Sequence, residues 1–202
     1  MQTLSSIQHI ISSWPSRSRK LAGALTEKYG MPHEAADSFL VWYYNSPWKR
    51  TILHREGAPH NFPKAHVDIL EQVVDYKVQP EKVGELVQFN GSLLIDRTRG
   101  ELSVRCASER MNTLILNLAH RIAVGELSCD DARTEVVNLL GTFRFHWLEL
   151  EKSQLSFGPG YVADRERDPA DPDVRGGVFL RRNISDVQKQ PEEAVGPPTY
   201  SH

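Results

Sequence analysis

The sequence predicts an α+β fold, predominantly α: a helical bundle with one antiparallel β-hairpin (about 92–106) packed on it, then a disordered C-terminal tail. Three observations lead there. Apolar residues recur at spacings of three and four along most of the first 150 positions, the signature of one buried helix face. A single stretch, Ser92 to Cys106, alternates as strands do around a turn that ends in Gly100. From Phe157 onward the chain holds six of the twelve prolines and five of the thirteen glycines without periodicity, a composition that cannot bury enough apolar surface to fold alone. The expected organisation is one mostly helical globular domain over 1–155 and an extended tail rich in Pro, Gly and charge over 156–202.

Taken in order, Leu4, Ile7, Ile11 and Trp14 mark the first helix, which Pro15 stops. A second runs from Ser16 through Leu21, Ala22 and Leu25 to Gly30, a residue suited to the left-handed position after a helix. Pro32, with Glu34 and Asp37 near the positive end, opens a predicted third helix through Phe39, Leu40, Trp42 and Tyr43 to Asn45. Ser46-Pro47 reads as cap and first-turn proline of a fourth over Trp48 to His54. Gly57 to Pro63 reads as loop, and Val67, Leu70, Val73 or Val74 and Lys77 as the next helix. Pro80 opens a short one ending at Asn90-Gly91. After the hairpin, Met111, Leu114, Ile115, Leu118 and Ile122 form an apolar stripe on a helix from Ser108 to Val124. A last helix opens with a capping box, Ser128 and Asp131, and carries the seam Val136, Leu140, Phe143, Trp147, Leu150.

Composition narrows the function classes. The chain has 202 residues, is 25% charged and carries a net charge of -2, so no global basic field points to nucleic acid or an acidic membrane surface. No window approaches the roughly 18 consecutive apolar residues of a membrane span. Two cysteines, Cys106 and Cys129, are too few for a disulfide framework, and the first residues lack the pattern of a signal peptide, so the expected compartment is cytoplasmic. No GxSxG, CxxC, HExxH or phosphate-cradling glycine motif occurs.

The densest polar segment is 48–66. It sets Lys49, Arg50, Arg55 and Lys64 against one acid, Glu56, and adds His54, His60 and His66. The arginines suit bidentate contact with a carboxylate or phosphate, and Trp48 offers a stacking ring, so a small anionic ligand is one reading. A metal site on His54, His60 and His66 is another, with Asp68, Glu71 and Glu56 as candidate further ligands, although the spacing is not the short pair on one element that zinc sites favour. A third reading makes the segment structural, its cations bonded to helix ends or to the acids of Asp68 to Asp75 and its aromatics sealing the core. Cys106 reads as core, and His120 as a histidine satisfied by a neighbour.

In the tail, Val178, Phe179 and Leu180 form an apolar island of the kind that docks on a partner. The leading expectation is a non-enzymatic cytosolic binding or accessory protein that meets a protein partner through its helical surface and tail. The alternative is a ligand-binding or metal-dependent enzyme domain centred on 48–66.

Overall fold

Helices flank the central part of the described chain where apolar stripes require them. In the computed structural model, which describes residues 4–141, 154–158 and 161–162, α1 spans Leu4–Ile11 and α2 Ser16–Tyr29. Gly30 follows α2 with φ 80°, in the left-handed region that glycine enters without a Cβ clash. Toward the other end lie α3 (Val83–Phe89), α4 (Glu109–Ala123) and α5 (Cys129–Gly141). Ser108 caps α4 by accepting from the Met111 amide, and Ser128 accepts from the Asp131 amide at 3.1 Å at the start of α5.

Between these helices the chain is a sheet, and this corrects the predicted fold class. The protein is not mostly helical, nor a helical bundle bearing a single hairpin. Strands β1 (Glu34–Ala35), β2 (Phe39–Tyr43), β3 (Arg50–His60), β4 (His66–Lys77), β5 (Leu93–Asp96) and β6 (Glu101–Cys106) lie in the order β1-β2-β3-β4-β6-β5, each antiparallel to its neighbour. A two-residue strand, β7 (Tyr161–Val162), pairs in parallel with the end of β4. The predicted hairpin is present as β5 and β6, but as two of the six strands rather than as an isolated ribbon.

Three predicted helices are therefore strands, each for a physical reason. The helix expected over 32–45 is β1 and β2, whose Phe-Leu-Val-Trp-Tyr run is the aromatic and β-branched composition that favours pleated surfaces. The helix expected over 48–54 begins β3, where Thr51 and Leu53 turn inward and their neighbours do not. The helix expected over 67–77 is β4, the strand between β3 and β6. Asp68 to Leu70 and Gln72 to Val74 of β4 are all buried, so both faces of the strand contribute buried positions and no period of two separates it from a helix.

The loop expected over Gly57 to Pro63 is, as far as His60, the second half of β3. Pro59 fits there because β2 pairs with β3 only at residues 50–54 and the last backbone bond on that side is from Arg55 to Ser38, so the strand around Pro59 pairs with β4 alone. A register shift between Leu53 and Ala58 separates the two halves. Ser46-Pro47, expected as a helix start, is a cis-proline turn between β2 and β3.

Register assigns the two sheet faces. The rows Leu40–Leu53–Leu70–Cys106 and Trp42–Thr51–Gln72–Val104–Leu93 share one face. The helices cover it in two groups. Ile7, Trp14, Ala22 and Leu25 of the N-terminal helical segment pack on Leu40, Trp42, Leu53 and Leu70. Met111, Leu114, Ile115 and Leu118 of α4 pack on Val74, Leu102, Val104 and Cys106, with Leu86, Phe89, Ala132 and Val136 joining the same cluster. The opposite face carries the alternate rows, with Arg50, Glu71, Glu101 and Arg105. Of the predicted seam of the last helix, Val136 is fully buried, while Phe143, Trp147 and Leu150 lie outside the described residues. Val178, Phe179 and Leu180, and the tail expected to be disordered, also lie outside them.

Candidate metal centre

The far half of the β3–β4 hairpin gathers the chemistry. His60 and His66 face each other directly across the two strands, with ring centroids 4.9 Å apart. Asp68 stands two residues beyond His66, and a strand's period of two puts it on the same face. Asp68 is 2% exposed. One of its oxygens, Oδ2, accepts from the Ser92 hydroxyl and lies 3.0 Å from His60 Nδ1; that nitrogen is also 3.2 Å from Ser92 Oγ.

The other oxygen is the unusual one. Asp68 Oδ1 lies 2.9 Å from His66 Nε2 without the alignment of a hydrogen bond, and the Cys106 thiol is the other donor beside this carboxylate. His66 Nδ1 is 2.7 Å from the Lys64 carbonyl. A carbonyl can only accept, so Nδ1 carries a proton, which leaves Nε2 as the nitrogen that meets Asp68. A ring nitrogen and a carboxylate oxygen thus meet at close range beside a buried carboxylate, a contact that a proton on Nε2 or a metal ion between the two atoms would satisfy. Sulfur is also present. Cys106, at the end of β6, places Sγ 3.5 Å from His66 Nε2. Burial, and then the charge of Asp68, pushes this thiol up to about 12, so it is no nucleophilic thiolate. A shallow groove of about 160 Å³ lined by Pro63, His66, Cys106 and Met111 connects the site to the surface.

The structure divides the predicted site residues between this cluster and structural roles. His60 and His66 belong to the cluster, and Lys64 supplies the carbonyl that orients His66. His54 does not join them: its Nε2 lies 3.4 Å from Glu71, which also accepts from Ser103 and Arg105. Burial alone would raise the Glu71 carboxyl, but the His54, Arg105 and Ser103 contacts hold it down to about 2. Arg50 grips the chain's own Glu101 with both guanidinium nitrogens, and Lys49 reaches both Asp75 and Glu101. Arg55 Nε is 3.3 Å from Glu56. Trp48 is 4% exposed and seals the core, as the structural reading of the segment expects.

A second buried carboxylate, Glu109 in the first turn of α4, accepts from Lys28, Tyr29, Trp48 and Gln72. Burial opposes its charge, but the hydrogen bonds from Lys28, Tyr29 and Gln72 outweigh that and lower its pKa. Its lone pairs are spent on the chain's own donors, so it ties α2, the sheet and α4 together rather than offering a site.

Two members of the cluster escape a reading of the sequence. Ser92 is 24 positions and Cys106 38 positions from Asp68, and only the order β4-β6-β5 brings them to it. The usable signal was His66-x-Asp68. On a strand these positions share a face, whereas on the helix expected over 67–77 they would point about 200° apart. Comparison with protein-family models, curated proteins and solved structures finds no match, so function rests on this geometry.

Proposed function

We propose that this chain is a metal-binding protein that holds one divalent transition-metal ion of the zinc class on His60, His66 and Asp68. The observation that carries the reading is the buried Asp68 Oδ1, 2.9 Å from Nε2 of an imidazole without hydrogen-bond alignment, the other nitrogen of that ring being committed to a backbone carbonyl. That second contact is the feature that fixes tautomer and ring orientation in metal-ligating histidines. Two imidazoles and one carboxylate suit zinc, cobalt or nickel, while calcium and magnesium prefer all-oxygen shells.

The ligand atoms lie within 4.8 Å of one another. A tetrahedral ion with bonds of about 2.0–2.1 Å wants donors about 3.3 Å apart. His60 lies 3.0 Å from Asp68 Oδ2 and His66 2.9 Å from Oδ1, so each imidazole has a carboxylate oxygen near that separation. This reading narrows the polar segment 48–66 to its last residues.

The test is equilibrium binding of Zn²⁺ to chelator-stripped full-length protein at neutral pH, read by competition with a chromophoric chelator. One equivalent should bind, and D68N or H60A should weaken binding at least about tenfold. If neither Zn²⁺, Co²⁺ nor Ni²⁺ is retained stoichiometrically, the cation between His66 and Asp68 is a proton and the cluster is an ion pair.

A further inference from the structure

Given a metal on His60, His66 and Asp68, we infer that Cys106 is its fourth ligand, so that the site is a closed clamp across three strands rather than an open catalytic centre. This inference rests on the metal reading and adds to it what the ion does.

Three observations carry it. The first is position. Cys106 Sγ is 3.5 Å from His66 Nε2, on the same face of the sheet, from the strand next to β4. An ion held by His66 and Asp68 therefore has a sulfur within reach on the side away from β3. The second is burial. Asp68 is 2% and Cys106 4% exposed, so both donors are withdrawn from water even though a groove beside His66 reaches the surface.

The third is charge. A divalent ion on two neutral imidazoles and one carboxylate leaves a net charge of +1 in a buried place, which is costly. Adding one thiolate makes the centre neutral. The step is a ligand exchange: the Cys106 S–H bond breaks, a sulfur–metal bond forms, and the proton leaves to buffer with a displaced water. No oxidant or reductant takes part. Four protein ligands and no open position are the features of a structural site, in contrast to the three ligands plus water of a catalytic one.

The ion then joins His60 on β3, His66 and Asp68 on β4 and Cys106 on β6. Ser92 stands behind it, its hydroxyl on Asp68 Oδ2. Past Arg55, β3 pairs with β4 alone, so this end of the hairpin lacks the lateral support of β2. The clamp fastens it to β6, one turn before α4 begins at Glu109.

Cobalt(II) substitution of the full-length protein tests this, because a thiolate ligand gives a near-ultraviolet sulfur-to-cobalt charge-transfer band and a tetrahedral ion gives strong visible d–d bands. Titrating stripped protein with Co²⁺ without oxygen should produce both, saturating at one equivalent, with about one proton released per ion in weakly buffered solution. The charge-transfer band should disappear in C106S and persist in C129S. Since the chain has only these two cysteines, the C129S protein assigns the band even if C106S does not fold. One bound equivalent of Co²⁺ without a charge-transfer band would overturn the clamp and leave the metal site standing as an open one. No binding at all would overturn both.

Discussion

Single positions in the β3–β4 hairpin separate packing from chemistry. Gly57 sits in the register shift of β3, and a Cβ there would run into the side chains of Val67 and Ile69. Its φ is not in the left-handed region, so the glycine serves close approach of two strands rather than a special backbone angle. Gly57→Ala should cost about 1–3 kcal/mol, the usual range for overpacking, measured as a shift in urea midpoint without a change in slope. His54 makes the complementary test. The sequence places it with His60 and His66 as an equal candidate, but the structure sets it against Glu71. H54A should leave Zn²⁺ affinity within about twofold of the parent in the chelator competition, against at least about tenfold for H60A. A large loss in H54A would restore the three-histidine site. Asp68 could be named from the sequence as a further ligand, whereas Cys106 could not, because a cysteine that alternates onto the buried face of a strand looks like any other core residue.

Helices α4 and α5 were legible in their caps and stripes, since Ser108 and Ser128 act through amides three residues away and need nothing distant. The β5–β6 hairpin was legible for the same reason: its turn and its alternation are local. Strand β4 was not. It is paired on both edges and packed on both faces, so its apolar residues follow the environment and not a period. How the elements join depends on Glu109, which receives donors from α2, from the β2–β3 turn and from β4. E109A leaves the Trp48 indole without its acceptor and the Gln72 amide with only its longer bond to Thr51, and should cost about 2–4 kcal/mol in urea denaturation at neutral pH. The Lys28 contact contributes little of that, because its side chain is more than half exposed. E109Q, which keeps one acceptor oxygen, should cost less than half as much.

Charge on the sheet face away from the helices governs how the whole molecule responds to acid. Glu71, held down to about 2 from an ordinary 4.5, is ionised in both folded and unfolded chains above pH 4.5, and there its stabilising effect is complete. As pH falls from 4.5 toward 2, the unfolded chain takes up a proton that the folded one refuses, and stability is lost. For Glu71 alone the loss is on the order of 3 kcal/mol. Glu101, held low by Arg50 and Lys49, and Glu109 act in the same direction. Thermal unfolding followed by circular dichroism should therefore show Tm falling between about pH 4.5 and 2, and E71Q should flatten that fall while lowering Tm at neutral pH. A Tm independent of pH across that range would show that these carboxylates are not held as the structure has them.

What the sequence determined by itself is local: the caps, the stripe of α4, the β5–β6 turn, and the concentration of histidine and basic residues before Asp68. The tertiary structure alone decided that 32–77 is sheet, because a strand buried on both faces and a buried helix draw on the same apolar residues. The same decision settled the chemistry. Only with 66–77 extended do His66 and Asp68 share a face, and only the strand order sets Cys106 and Ser92 beside them. A site assembled from three strands and the residue before a fourth, in a non-sequential order, is a property of pairing, which no local window contains.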